Sequence, residues 1–195
     1  MPIRFGTYNI RNGRNGGLES ALWGMAQANM DLGIFQETEC TDGIYTRDSD
    51  GYSAISTDAP SRHRGGVAVF YRPSPHFVVE AVQQFGPNIF SFQLATGSRW
   101  WYIIGCYIDP DDTSTIESVV TTLEEWPRGA ALLVVGDLNT TLTQPENDRR
   151  GTDIAAALTE EVPEDTATHF LPHQRKWSRE RRTWSMVREV KVVRS

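Results

Sequence analysis

The segment ALLVVGDLN, residues 131–139, joins a wholly apolar run to a polar end. A run of five apolar residues closed by a glycine is typical of a strand that is buried on both faces. Asp137 and Asn139 follow directly after Gly136. In α/β proteins, strand ends bring ligand-binding side chains together from distant parts of the sequence. The segment therefore predicts a buried sheet whose strand ends carry the functional residues.

Two other predicted strands end in oxygen-bearing side chains of the same kind. The first, residues 3–9, alternates in polarity and ends at Asn9 before a glycine-rich turn. The second, residues 32–35, is short and apolar and is followed by Gln36 and Glu37. Carboxylate and carboxamide oxygens are hard ligands that suit Mg²⁺ or Mn²⁺. The side chains expected to meet in one cleft are Asn9, Glu37, Asp137 and Asn139.

Each strand end also has a purely structural interpretation. Asn9 precedes a glycine-rich turn and could simply form that turn. Asp137 and Asn139 have the spacing of an Asx turn. Glu37 could be no more than the first exposed residue after a buried strand. The functional hypothesis therefore depends on the presence of all three polar strand ends in one chain.

The remaining pattern alternates short apolar runs with two helices. Helical spacing and a capping box at Ser114–Glu117 predict helices over residues 18–30 and 114–126. A weaker helix is expected at 153–161, and a final hairpin at 183–186 and 190–193. Further strands rich in Val, Ile and aromatic residues are expected at 66–71, 77–82, 89–94 and 100–108. The fold class predicted from this order is α/β, with two packed sheets and helices on their outer faces.

Composition excludes several classes of protein. Of the 195 residues, 39% are hydrophobic, which is enough to form a core. The longest apolar run, residues 100–108, is too short to span a bilayer, and no secretory signal is apparent at the N-terminus. Cys40 and Cys106 form no C-x-x-C pair. We therefore expect an intracellular protein, cytoplasmic or nuclear and not secreted, with no membrane association and no protein partner.

Charge is distributed unevenly along the chain, although the net charge is only −6. Residues 172–195 hold eight basic and two acidic side chains, so the remaining 171 residues hold 11 basic and 23 acidic ones. A basic segment rich in arginine can bind phosphates, and a solvated charged surface would show the same pattern.

Five short motifs, in this order along the chain, resemble those of the endonuclease/exonuclease/phosphatase superfamily, the DNase-I-like proteins. They are TYNIR at 7–11, FQET at 35–38, GGVAV at 65–69, CYIDP at 106–110 and GDLN at 136–139. Thr183 and Trp184 resemble a late strand of that family. Within the superfamily, the sequence is most similar in character to endonuclease domains of non-LTR retrotransposons. The resemblance implies a four-layered α/β sandwich made of two packed mixed β-sheets with helices outside.

The resemblance also implies roles for the matched residues. Glu37 would bind Mg²⁺, or Mn²⁺, with Asn9 beside it as a metal or phosphate contact. Asp137 would orient or deprotonate the attacking water, and Asn139 would hold Asp137 and the phosphate. Tyr107 would donate a hydrogen bond to the phosphate or the leaving oxygen, although an aromatic residue on a buried strand is more often part of the core. The implied activity is Mg²⁺-dependent phosphodiester hydrolysis, and the expected partner is nucleic acid, namely DNA.

Two motifs of the family have no match in this chain. They are an Asp-containing strand motif and a Ser-Asp-His, both expected late in the sequence. None of the four histidines stands in a position to replace the second motif. We therefore expect residues 1–195 to form a single domain that lacks the last strands and to be impaired in DNA nicking. Two alternatives stay open, namely a catalytically dead retroelement remnant and a phosphatase or phospholipase of the same superfamily.

Overall fold

The computed structural model describes residues 3–11, 16–40, 51–59, 65–97, 99–109, 114–127, 130–139, 152–153 and 185–187, with single residues 112, 149 and 156. The helices of this part with defined bounds are α1 (Leu18–Gln27) and α2 (Ser114–Glu124). Its strands are β1 (Phe5–Asn9), β2 (Leu32–Gln36), β3 (Ser53–Ser56), β4 (Val67–Tyr71), β5 (Val78–Gly86), β6 (Ile89–Thr96), β7 (Arg99–Tyr107), β8 (Ala131–Asp137) and β9 (Ser185–Val187).

The first sheet has the strand order β3-β4-β2-β1-β9. Strands β1 and β2 are parallel, and α1 forms the crossover between them, as a parallel pair requires. Their register places Asn9 beside Gln36, so both strands end at the same edge of the sheet. The other pairs in this sheet are antiparallel.

The second sheet has the order β5-β6-β7-β8. The first three strands form an antiparallel meander, whereas β8 returns parallel to β7 through α2. The register of β7 and β8 places Tyr107 beside Asp137 at their common end. Each sheet therefore has one parallel pair whose carboxyl ends carry polar residues.

Apolar side chains from both sheets pack between them and form the central core. Ile34 and Val69 of the first sheet belong to one buried cluster with Phe92 and Ile103 of the second. On the outer faces, Met25 of α1 covers the first sheet, and Val119 of α2 covers the second. The order of layers is helix, sheet, sheet, helix, which confirms the predicted four-layered α/β sandwich.

The two predicted helices and most of the predicted strands are present within a few residues of the expected bounds. Strand β3 was not predicted, because its sequence SAIS is short and only weakly alternating. Strand β5 continues past residue 82 through a bulge, where the register shifts between Glu80 and Gln83 and Ala81 has φ of +49°. A bulge lets an edge strand continue beyond the point at which simple alternation ends.

At the C-terminal end of the chain, only part of the prediction can be compared with the structure. Strand β9 overlaps the first strand of the expected hairpin and pairs with β1. The second strand of that hairpin, and most of the weaker helix expected at 153–161, lie outside the described residues. No helix in the described part is long and apolar enough to cross a membrane.

Candidate functional site

The polar ends of the two parallel strand pairs meet at one edge of the sandwich. Asn9 and Glu37 come from the ends of β1 and β2 in the first sheet, and Asp137 comes from the end of β8 in the second. These side chains are joined by direct hydrogen bonds across the two sheets. The structure thus brings together residues that are separated by up to 128 positions in the sequence.

The side-chain amide of Asn9 is the centre of this arrangement. Its Nδ2 donates to Oε1 of Glu37 at 2.7 Å and to Oδ2 of Asp137 at 2.9 Å. Its Oδ1 accepts from the backbone N–H of Arg11 at 2.9 Å, which is an Asx turn. Asn9 therefore forms the expected turn, and the turn aims the two amide hydrogens at the carboxylates.

Glu37 lies in an unusual backbone conformation directly after β2. Its φ is +56°, and that of Glu39 is +53°, which is uncommon for residues other than glycine. Two backbone bonds hold this segment, from Thr38 N to Gly66 O at 3.3 Å and from Glu39 N to Gly65 O at 3.0 Å. A conformation of this kind persists only where the surroundings impose it, and such positions are concentrated at functional sites.

Asp137 is held by the end of the neighbouring strand and by its own turn. The backbone N–H of Ile108 donates to the Asp137 carbonyl at 2.9 Å. The carboxylate accepts from the backbone N–H of Asn139 at 3.1 Å, while the Asn139 amide donates to the Ile108 carbonyl at 2.8 Å. A Cβ at Gly136 would lie 1.7 Å from the carbonyl oxygen of Cys106, so only glycine fits before Asp137.

Tyr107 is a buried core residue and also contacts the site. Burial, followed by the charges of Glu37 and Asp109, raises its pKa well above the ordinary range of tyrosine. A hydrogen bond to Glu37 acts in the same direction, because it favours the neutral phenol. Tyr107 therefore stays protonated and can act as a donor at neutral pH.

Asp109 is a further acidic side chain near the site that the sequence analysis did not single out. It is buried and close enough to raise the pKa of Tyr107. The sequence does contain a pattern that points to Asp109, because it is the first polar residue after the apolar run of β7. Glu37 has a similar position, one residue after the first polar residue that follows β2's apolar run. The rule applied to the other three strand ends would have identified it.

The residues at this edge are hard oxygen donors with a net negative charge. Mg²⁺ is commonly bound by one or two carboxylates and completes its coordination with water and substrate oxygens. Two carboxylates, those of Glu37 and Asp137, lie close together here, because both accept from the Asn9 amide. Among the described residues, no group of three or more His, Cys, Asp or Glu side chains is placed to hold a metal ion. The donors present at this edge are carboxylate and carboxamide oxygens, the ligand type that suits a hard divalent cation.

One histidine, His76, lies in the described part of the chain, and it is far from this edge. It precedes β5, whose first residue pairs with Ala95, at the end of the second sheet opposite Tyr107. His63, His169 and His173 lie outside the described residues.

The fold is shared with several solved endonuclease structures. The endonuclease domain of TRAS1, a telomere-specific non-LTR retrotransposon, has a TM-score of 0.65 at 18% identity over 82% of this chain and 71% of that one. The AP endonuclease LMAP from Leishmania major has a TM-score of 0.65 at 14% identity, covering 84% of this chain and 68% of the other. An AP endonuclease from Archaeoglobus fulgidus has a TM-score of 0.58 at 15% identity, with coverages of 82% and 71%.

The sequence matches no family model and no curated protein. At these identities the structural likeness is a likeness of fold, and it confirms the architecture expected from the five motifs.

Proposed function

We propose that this chain, which has the DNase-I-like fold of the endonuclease/exonuclease/phosphatase superfamily, is a Mg²⁺-dependent endonuclease that hydrolyses phosphodiester bonds in DNA. The observation that carries the proposal is the Asn9 amide, which holds carboxylates from both sheets at one open edge. A buried, protonated tyrosine lies beside them. A carboxylate pair next to a neutral hydrogen-bond donor suits metal-assisted hydrolysis of a phosphodiester.

Glu37 would hold the metal ion, and Asn9 would orient Glu37 or contribute to the same site. Mg²⁺, or Mn²⁺ in its place, would act there as a Lewis acid that neutralises charge on the phosphate. The left-handed backbone at Glu37 supports this assignment, because it points to a position constrained for function.

Asp137 would orient and deprotonate the attacking water. Its carboxylate is fixed on one side by the Asn9 amide and on the other by the backbone of Asn139. A general base held in this way needs no reorganisation when the substrate binds. The Asn139 amide is committed to the Ile108 carbonyl, so Asn139 would act by holding the turn and through its contact with the phosphate.

Tyr107 would donate a hydrogen bond to the phosphate or to the leaving oxygen. Its phenol lies near the Glu37 carboxylate, and burial together with that charge raises its pKa and keeps the proton in place. A donor that is positioned before the substrate arrives stabilises developing charge more effectively than solvent does.

DNA is the substrate proposed, since the three similar structures named above are a retrotransposon endonuclease domain and two AP endonucleases. A retroelement context for this chain is part of the same proposal.

A plasmid-nicking assay tests the proposal on the purified chain. We expect Mg²⁺-dependent nicking that EDTA abolishes and that Asp137→Asn lowers by about 10²–10⁴-fold, as for loss of a general base. Glu37→Gln should also lose activity, whereas the matched control Glu80→Gln, on the exposed strand β5, should retain it. Equal nicking by the parent and Asp137→Asn would show that the activity does not come from this site.

The same preparation separates the alternatives. Release of phosphate from inositol phosphates without nicking would favour a phosphatase, and neither activity would favour the catalytically dead remnant. The reduced nicking rate expected from the two missing motifs stays a prediction. The nicking rate of the parent protein tests it.

A further inference from the structure

Asn88 is a buried polar residue at the tip of the hairpin that joins β5 and β6. It is 4% exposed and is not part of the group of residues proposed above for catalysis. The hairpin belongs to the second sheet, but its tip reaches the start of β4 in the first sheet. Asn88 therefore lies where the two sheets approach one another beside the candidate site.

Asn88 hydrogen bonds to both sheets at once. Its side-chain Oδ1 accepts from the backbone N–H of Gly66 at 2.9 Å, a buried contact with the first sheet. Its backbone carbonyl accepts from the backbone N–H of Tyr107 at 2.9 Å, a contact with the end of β7 in the second sheet. One residue thus bridges the two halves of the sandwich through its side chain and its main chain.

Each of these contacts leads directly to a residue of the candidate site. Gly66 accepts from Thr38 N and so braces the left-handed segment that carries Glu37. The approach is close, since a Cβ at Gly66 would lie 2.6 Å from Oγ1 of Thr38. On the other side, the phenol of Tyr107 contacts Glu37. Asn88, Gly66, the Glu37 segment and Tyr107 therefore form a closed ring of contacts.

The hairpin tip that carries Asn88 is itself anchored. Oγ1 of Thr57 donates to the Pro87 carbonyl at 2.6 Å and accepts from the backbone N–H of Val67 at 2.9 Å. This second link between the tip and β4 fixes the position from which Asn88 acts. A supporting residue whose own position is fixed by such bonds can hold site residues with precision.

We propose that Asn88 is a positioning residue that sets the placement of Glu37 relative to Tyr107 across the two sheets. It acts through Gly66 on one side and through the Tyr107 backbone on the other. The expected effect of Asn88 on catalysis rests on the proposed nuclease function. Its expected effect on the structure around Glu37 and Tyr107 is independent of that function.

Three variants test this inference. Asn88→Leu removes the acceptor at similar size, and Asn88→Asp keeps an oxygen where Gly66 N donates. The control Tyr52→Phe removes a phenol that donates to the Met30 carbonyl at 2.7 Å and accepts from Arg72 at 2.8 Å, at the opposite end of the first sheet. Urea denaturation measures the stability of each variant, so that changes due to general destabilisation are identified.

Amide hydrogen exchange, followed residue by residue by NMR, is the readout that does not depend on activity. In Asn88→Leu the Gly66 amide loses its acceptor, and we expect it to exchange about tenfold faster. The amides of Thr38, Glu39 and Tyr107 keep their own acceptors, and we expect them to exchange faster as well because the ring that positions them is loosened. Asn88→Asp should restore slow exchange, and Tyr52→Phe should leave these four amides unchanged. Faster exchange at Gly66 alone would overturn the inference.

Kinetics on the plasmid substrate give the second readout. Misplacement of a site residue should lower kcat of Asn88→Leu by about tenfold or more with KM unchanged within about twofold. In a Tyr107→Phe background the same substitution should lower kcat much less, since the residue through which it acts is already altered. An unchanged kcat in Asn88→Leu would overturn the positioning role. A parent without nicking activity would refute the proposed function, and hydrogen exchange alone would then decide on Asn88.

Discussion

Asn9 combines a local and a long-range task in one side chain. Its oxygen closes a turn with Arg11, and its nitrogen connects Glu37 with Asp137. Two carboxylates that face the same point repel one another unless a donor or a cation lies between them. The amide supplies that donor without adding charge, which makes its neutrality as important as its hydrogen bonds.

Replacing Asn9 should therefore destabilise the fold in a charge-dependent manner. Asn9→Leu removes the shared donor, and we expect the free energy of unfolding to fall by about 1–3 kcal/mol. Asn9→Asp should cost more at neutral pH, because it adds a third carboxylate to the group. Urea denaturation of both variants beside the parent measures the difference. An Asn9→Asp protein as stable as Asn9→Leu would show that repulsion between the carboxylates is unimportant.

Cys106 is expected to make the folded protein less stable as the pH becomes alkaline. Burial, with the charge of Asp137 as a smaller cause, raises the pKa of its thiol from 9.0 to about 12 in the folded protein. Above pH 9 the unfolded chain loses this proton and the folded chain does not, so the stabilisation present below pH 9 is lost as pH rises toward 12.

The expected size of this effect is about 1.4 kcal/mol between about pH 8 and about pH 10. Cys106→Ala should lack this part of the decline, while other groups titrate equally in both proteins. Urea denaturation at the two pH values measures it. Parallel declines in the parent and Cys106→Ala would contradict the assignment.

At the scale of elements, Gly105 on β7 leaves room for the ring of Phe90, its cross-strand neighbour in the same sheet, where that sheet packs against the first. A Cβ at Gly105 on β7 would lie 2.8 Å from the ring of Phe90 on β6 and 3.3 Å from Ile34 of the opposite sheet. Phe90 in turn stacks on Phe92, with ring centroids 5.8 Å apart. The distance between the sheets at this point depends on the absence of a side chain at residue 105.

This complementarity predicts a compensating pair of substitutions. Gly105→Ala should destabilise the protein by about 1–3 kcal/mol through overpacking. Phe90→Leu alone should also destabilise it, by loss of buried apolar contact. In the double variant the costs should not add, because the smaller side chain at 90 makes room for the methyl group. Strict additivity in urea denaturation would show that the clash is relieved elsewhere.

Strand β5 shows how the fold accommodates an exposed edge. Val78 and Val82 are largely exposed there, and the bulge at Ala81 interrupts regular pairing between them. Bulges of this type oppose the addition of a further strand from another chain.

At the scale of the whole molecule, metal binding and folding should be coupled. A ligand that binds the folded protein alone stabilises it in proportion to the logarithm of its concentration. At Mg²⁺ ten times above its Kd, we expect Tm of the parent to rise by about 3 °C. Glu37→Gln should show no rise, whereas Glu80→Gln should respond as the parent does. Thermal unfolding followed by circular dichroism measures these shifts, with isothermal titration calorimetry as a check.

Equal shifts in the parent and Glu37→Gln would remove Glu37 from the metal site. Because this experiment needs no substrate, its outcome is independent of whether the chain cleaves DNA.

The sequence by itself determined the layers of this protein and most of the strands in them. Hydrophobic periodicity is a local property, so residues 18–30, 100–108 and 131–135 could be assigned without knowledge of their neighbours. The polar strand ends at Asn9, Glu37 and Asp137 are equally local, and so they could be chosen as site candidates. Strand β3 was not predicted, because four residues are too few to show a clear alternation of polar and apolar side chains.

Only the tertiary structure decided how these pieces meet. Local sequence does not encode that β1 lies between β2 and β9, or that the end of β8 comes within hydrogen-bond distance of Asn9. Asn9 and Asn88 are bonded to partners that are far away in the sequence. The residues next to them in the sequence therefore do not predict the orientation of the Asn9 amide or the two contacts of Asn88. Contacts between distant strands are set by packing of the whole core, and for that reason the ring around Glu37 and Tyr107 is visible only in the folded chain.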